Sequence, residues 1–380
     1  VDEGDPFNEI LFNKSINNIQ SLGIFKKVDT NVQKGSQDTF KVIDLDVEER
    51  PTGEISVTAG FGTAGESLGA GLKENNFLGK GINLNTNFEI TADSLKGQFI
   101  YAKPNFNYSD NTLFTSLKSS TSDFLNNSGY KTSELGFSVG TRFEQFQNIY
   151  LSPELDFLIE DLETSNKASK TIKKQEGSYT DLYFNYSINQ DLRDKKFRTE
   201  DGFVTTFSQE LPIVSDNSEI SNAFDITKYK KLSTRSDIVG KVSFFGKTIT
   251  GLSDDVRISK RLYIPSSRLR GFEKGKVGPV DNNDYIGGNH LSSINMSATL
   301  PNILEGLDNL DVGVFLDAAN IWGVDYDSSL DDKSTIRSSV GVGLNLLTPI
   351  GPLSFSFANA LTKASSDKTE SFRFNLGTQF

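Results

Sequence analysis

The end of the chain carries the pattern that most restricts its fold. Phe372, Phe374, Leu376, Thr378 and Phe380 alternate with Arg373, Asn375, Gly377 and Gln379. Extended as a strand, that segment puts an almost wholly apolar face opposite a polar or small one. The same split recurs in Leu353, Phe355 and Phe357, in Val340, Val342, Leu344 and Leu346, and in Leu182, Phe184, Tyr186 and Ile188. It is also present in Ile149, Leu151, Leu155, Phe157 and Ile159, and in Phe137 with Val139. From Thr52 onward helical spacing vanishes. About sixteen such segments, at roughly 20 residues per strand plus connection, predict an all-β transmembrane barrel of 16 antiparallel strands over residues 51–380. A soluble β-solenoid or a pair of sandwiches is the alternative.

Two features favour the barrel. The second face is Ser, Gly, Asn and Thr, so a soluble sandwich would have to solvate one face of a very large sheet. Connections also alternate in length. Residues 75–81, 144–148 and 348–352 are short, whereas 163–177 and 252–286 are long, as between the two sides of an outer-membrane barrel. No apolar run approaches the ~18 residues of a transmembrane helix. The mean hydropathy of −0.36 resembles that of a soluble protein. Neither argues against strands that face lipid with every second residue.

The first fifty residues read differently. Asp5 and Pro6 predict a helix start, Ile10, Leu11, Lys14, Ile16, Ile19 and Leu22 follow at helical spacing, and Gly23 ends it. Strands are expected over 24–32 and 39–47. A helix on one hairpin is too small for a good core, so residues 1–50 read as the C-terminal part of a partial α+β domain that starts upstream. Glu48, Glu49, Arg50 and Pro51 mark its boundary with the barrel. Val1–Asp5 is polar and carries no signal-peptide core, so an export signal is expected upstream or already removed.

Catalysis has little to work with. The chain has no cysteine and one histidine, which excludes disulfides, thiolate sites and His clusters for a metal. A net charge of −11 without a basic patch argues against nucleic acid. Gly60-Phe61-Gly62-Thr63-Ala64-Gly65 has dinucleotide-fingerprint spacing but no following helix, and Gly246-Lys247-Thr248 has no P-loop glycine in register. Gly136-Phe137-Ser138-Val139-Gly140 has the spacing of a nucleophile elbow inside an alternating strand. A lipase with Ser138 as nucleophile would need His290 as base, and both read more simply as barrel-wall residues.

The segment 252–286 is too long for a plain connection, and it carries Arg268, Arg270, Gly271 and Phe272. Arg270-Gly271-Phe272, ahead of Gly287-Gly288-Asn289, resembles the loop motif of the BamA family of outer-membrane assembly factors. Leu22-Gly23-Ile24-Phe25-Lys26-Lys27-Val28 is similar to part of a polypeptide-transport-associated (POTRA) domain. Glu48-Glu49-Arg50-Pro51-Thr52-Gly53 resembles the link into the barrel, and Asn75-Asn76-Phe77-Leu78-Gly79-Lys80-Gly81 the turn after the second strand. The resemblance spans the chain.

It implies that the loop folds into the lumen, with Arg270 pairing Asp317 on the thirteenth strand and Arg268 as a secondary contact. Parity agrees, because Val312, Val314 and Leu316 form the apolar face and put Asp317 on the other. Two positions depart from the family pattern: Ala319 stands where a glycine is usual, and Ser297 where a glutamate is. The resemblance further implies insertion of unfolded barrel proteins into the bacterial outer membrane without ATP, cofactor or covalent chemistry. Accessory lipoproteins, outer-membrane lipid and lipopolysaccharide would be the other partners, and the POTRA side would face the periplasm. A TamA-like factor or a two-partner secretion pore shares the loop motif. A lateral seam is expected between the first strand, with Ile55, Val57, Gly60 and Gly62, and the last, with Phe372, Phe374, Gly377 and Phe380.

Overall fold

The computed structural model describes residues 4–21, 23–37, 39–63, 65–196, 198–233, 237–301, 310–348 and 351–377. Near the N-terminus, helix α1 (Glu9–Ser21) is followed by the antiparallel pair β1 (Phe25–Lys34) and β2 (Lys41–Glu49). The helix begins later than Asp5 because Asn8 caps it: its side-chain oxygen accepts from the Ile10 and Leu11 amides at 2.9 and 3.2 Å. Gly23, with φ +67°, turns the chain out of the helix.

The rest is one antiparallel sheet closed on itself. In chain order the strands are β3 (Gly53–Gly62), β4 (Gly65–Phe77), β5 (Ile82–Thr91), β6 (Ser94–Lys103), β7 (Thr112–Phe124), β8 (Tyr130–Phe146) and β9 (Ile149–Thr164). After the short helix α2 (Lys170–Lys173) come β10 (Gly177–Asp191), β11 (Gly202–Ser215), β12 (Glu219–Lys231) and β13 (Val239–Gly251). The two-residue strands β14 (Val280–Asp281) and β15 (Asp284–Tyr285) pair with each other outside the barrel sheet. The barrel continues through β16 (His290–Pro301), β17 (Leu310–Trp322), β18 (Arg337–Thr348), β19 (Gly351–Thr362) and β20 (Phe372–Leu376), and β20 returns to β3. These are 16 barrel strands, so the fold is the all-β barrel that the alternation demands.

The two faces have opposite chemistry. Phe88, Leu135, Phe137, Phe157, Val314, Leu316 and Val340 stand exposed on the outside. An apolar surface that runs round the barrel is far larger than the few hundred Å² a soluble monomer tolerates, and it suits lipid. Ser138, Glu160, Asp181, Ser243, Asp317 and Ser339 point inward and are buried. Among the described residues no helix is long and apolar enough to cross a membrane, which says nothing about strands.

The expected alternation in connection length is only partly what the fold has. At the end where the chain enters, 78–81 and 147–148 are tight, but 104–111 and 192–201 are not. At the far end 165–176, 252–289 and 323–336 are long, whereas β5 and β6 are joined by residues 92–93 alone. Far-end length is concentrated where chain is needed to cover and fill the lumen. The last strand is also shorter than its alternation suggests. It ends at Leu376 because Gly377 adopts φ +86° and leaves the extended conformation. Phe380 lies outside the described residues.

Candidate functional site

The connection of residues 252–289 packs against the inward face of the barrel. Val256, Ile258, Leu269, Phe272 and Ile286 are at most 2% exposed, so this segment brings its own apolar side chains into the core. Its neck is closed by Leu262 and Gly288, whose amides donate to each other's carbonyls at 2.8 and 3.0 Å. Tyr263 donates to the Tyr285 carbonyl at 3.1 Å, and burial pushes its phenol up to about 12, which keeps the donor proton in place.

At the tip, Arg270 meets Asp317 of β17 in a two-bond fork, Nε and one terminal nitrogen each 2.7 Å from the carboxylate oxygens. The Arg270 amide donates to the same carboxylate at 3.1 Å, and Asn295 of β16 donates to it at 2.9 Å. The side chain that joins Arg270 on this carboxylate is thus a neutral amide, Asn295, while Ser297 stands opposite Phe315 one step along the inner face. The guanidinium also stacks on Phe315, 3.4 Å from the ring centroid. Asp317 is wholly buried, whereas the Arg270 side chain is 26% exposed to the lumen.

Gly271 makes the turn possible. Its φ is +88°, and an added Cβ would sit 3.1 Å from Ala358 and 3.3 Å from Ser339. Ser339 donates to the Arg270 carbonyl at 2.5 Å. Phe272 then enters an apolar cluster with Ile264, Leu269, Val277, Leu291, Ala319 and Ile321, so the Ala319 methyl is part of the surface that receives the ring. Arg268 reaches the other wall, where it pairs with Asp225 of β12 and lies 4.2 Å over the Phe245 ring.

Phe315 can support Arg270 only because Gly341 on β18 leaves room. A Cβ there would lie 2.4 Å from the Phe315 ring and 2.2 Å from the Phe357 carbonyl. Gly341→Val is therefore expected to displace the ring and destabilise the purified barrel by about 1–3 kcal/mol. A urea-unfolding midpoint unchanged from wild type would contradict that support.

The expected seam residues fall into two groups. Ile55 and Val57 face outward, 81% and 80% exposed. Gly60, Gly62, Phe374 and Gly377 lie where β3 meets β20. Among the described residues the two strands pair only at Asn375↔Gly62 and Leu376↔Phe61, whereas β3 pairs with β4 along its whole length. A Cβ on Gly62 would lie 2.4 Å from the Phe374 carbonyl, and one on Gly377 would lie 2.1 Å from the Ala59 carbonyl, so these glycines permit a close approach. The Phe61 and Phe374 rings meet 5.7 Å apart, and Phe372 stacks beside Phe374 at 6.2 Å.

The Omp85 superfamily domain matches residues 76–380. The chain belongs to the Omp85 superfamily. An outer membrane protein assembly factor BamA from Neorickettsia risticii is 24% identical over all of this chain and 52% of its own length. The chain spans about half the length of its bacterial BamA relatives. The crystal structure of BamA from Haemophilus ducreyi lacking POTRA domains 1–3 superposes with a TM-score of 0.83 at 23% identity, covering 97% of this chain and 78% of that one. CdiB from Acinetobacter baumannii shares the fold less closely, with a TM-score of 0.62 at 13% identity over all of this chain and 70% of its own.

Within this Omp85 barrel, several loop anchors escape sequence reasoning. Arg257 is fully buried among Glu160 of β9, Asp181 of β10 and Glu219 of β12, at 3.1, 2.5 and 3.3 Å. It also stacks on Tyr179 at 4.5 Å. Burial works against its charge, but the carboxylates of Glu219, Glu160 and Asp181 outweigh it and raise its pKa. Arg261 pairs with Asp325 and stacks on Tyr326. Arg337, at the start of β18, pairs with buried Asp367 at 2.9 Å. The one available signal was parity: Glu160 lies opposite to the outward run that ends at Ile159, so it must face inward and needs a cation there.

The catalytic alternative finds no geometry. Ser138 shares a hydrogen bond with Ser116 at 2.8 Å, and the His290 ring packs tilted against Trp322 at 5.5 Å. Their strands, β8 and β16, are not neighbours in the barrel. Gly60 to Gly65 leads from β3 into β4, with no helix to receive a phosphate.

Proposed function

We propose that this protein inserts barrel proteins into the bacterial outer membrane by opening the β3–β20 seam and offering the β3 edge as a template. The observation that carries this reading is the junction itself: the first and last barrel strands close on each other at Asn375↔Gly62 and Leu376↔Phe61, with glycines, Gly62 and Gly377, where the two backbones come closest. In lipid each unpaired backbone group costs several kcal/mol, so an incoming strand gains most by pairing with an edge that is released easily. Pairing of that edge with a client's terminal strand is β-augmentation in a membrane, and it needs no ATP and no covalent step.

In this reading residues 1–50 are the end of a POTRA domain on the periplasmic side, and unfolded barrel proteins are the clients. Accessory lipoproteins, membrane lipid and lipopolysaccharide are the remaining partners. The lumen loop holds the barrel in one shape while the seam works.

The test is a disulfide across the seam in the full-length protein, Phe61→Cys with Leu376→Cys, in a chain without native cysteine. Reconstituted assembly is expected to fall about tenfold or more when oxidised and to recover on reduction, because the paired strands are held at disulfide distance. Undiminished assembly with the seam locked would sink the proposal.

A further inference from the structure

The last strand is fastened to the lumen loop by one of its own side chains. Arg373 of β20 donates to the Ser266 carbonyl at 3.0 Å and to the Phe272 carbonyl at 2.6 Å, on either side of the Arg268–Gly271 turn. Glu370 orients it, accepting from Nε at 3.0 Å and from a terminal nitrogen at 2.8 Å. The Arg373 side chain is 14% exposed. A guanidinium that binds two carbonyls and a carboxylate in one plane does what a lysine cannot.

The connection just before β20 adds a backbone ladder. Phe272 and Thr369 form an antiparallel bridge. The Glu273 amide donates to the Lys368 carbonyl, the Lys368 amide to the Lys276 carbonyl and the Glu370 amide to the Gly271 carbonyl, each at 3.0 Å. Asp367 accepts from the Gly278 amide at 3.1 Å while it pairs with Arg337. Among the described residues the loop makes no hydrogen bond to β3, β4, β5 or β6. Among the described residues, β20 meets β3 across the seam at two residue pairs, and the Thr63 amide donates to the Phe374 carbonyl at 3.2 Å.

We infer that Arg373 is a positioning residue that makes β20 and the lumen loop one rigid unit, so that the seam parts by movement of β3 while β20 stays with the loop. The inference rests on the seam-opening reading above. It gives the loop's arginine-rich turn a second role, in which the carbonyls exposed on its back hold the strand that does not move.

The experiment uses spin-label pairs in the full-length protein in liposomes, one at positions 273 and 368 and one across the seam at 57 and 357. During client assembly the 57–357 distance is expected to lengthen while the 273–368 distance stays narrow and unchanged. Arg373→Ala is expected to broaden 273–368 and to slow assembly by about tenfold, since two charge-assisted bonds and their geometry are lost. Arg373→Lys should restore the distance only in part. A Glu273→Cys with Lys368→Cys disulfide should leave assembly within about twofold of wild type, because it joins backbones that already pair. This lock keeps the proposal testable if Arg373→Ala fails to fold. A 273–368 distance that changes together with an opening seam, a distance unmoved by Arg373→Ala, or a lock that abolishes assembly overturns this inference and leaves the seam reading standing. A constant 57–357 distance during assembly overturns both.

Discussion

Arg270→Ala is expected to destabilise the folded loop by about 3 kcal/mol, and Asp317→Asn by markedly less, although the two side chains share one ion pair. The asymmetry follows from burial. Asp317 is fully buried, so losing the guanidinium leaves a carboxylate with only the Arg270 amide and Asn295 as donors. Arg270 is a quarter exposed to the lumen, so losing the carboxylate lets the guanidinium hydrate while keeping its place over Phe315. Hydrogen exchange of residues 262–288 in the reconstituted protein reads the difference directly. Protection should fall strongly in the first variant and modestly in the second. Equal losses would mean that the pair acts as a simple exposed salt bridge.

Arg257→Ala should be the more damaging loop substitution, with a loss of about 3–5 kcal/mol and a fall in folded yield. Glu160 and Asp181 are wholly buried and Glu219 nearly so, and they converge on this one cation from three strands. Removing it leaves mutually repelling carboxylates in a dry site. Combining Arg257→Ala with Glu160→Gln and Asp181→Asn is expected to recover most of the heat-resistant barrel on semi-native gels. A triple variant as unstable as the single one would show that Arg257 acts through packing on Tyr179 rather than through charge.

Parity carried much of the fold and part of the site. A period of two cannot be kept through some 330 residues without two chemically distinct sheet faces. The outward set of Phe137, Phe157, Val314 and Leu316 therefore points to lipid, and Asp317 has to face inward on the strand that carries it. Arg270 was legible through its motif, because a turn needing glycine at φ +88° and a buried aromatic next to it leaves a local trace in sequence.

The partners that come from far along the chain left no such trace. Arg257 lies 97 residues from Glu160, and Arg373 lies 107 from Ser266. Little in the sequence distinguishes Arg373 from any other polar residue of an alternating strand, because its distant acceptors, on Ser266 and Phe272, are main-chain carbonyls, which every residue has. The helix start differs by a few residues for a smaller reason: Asp5-Pro6 and Asn8 both suit a cap, and the choice depends on which side-chain oxygen reaches a free amide.

The sequence alone thus determined the alternation, the strand supply and the presence of one arginine-bearing loop too long for its place. Only the tertiary structure decided which carboxylates meet which arginines, where β3 meets β20, and that the loop grips the last strand. Alternation is a property of each strand by itself, whereas register, closure and buried charge pairing arise only when all sixteen strands are brought round to meet.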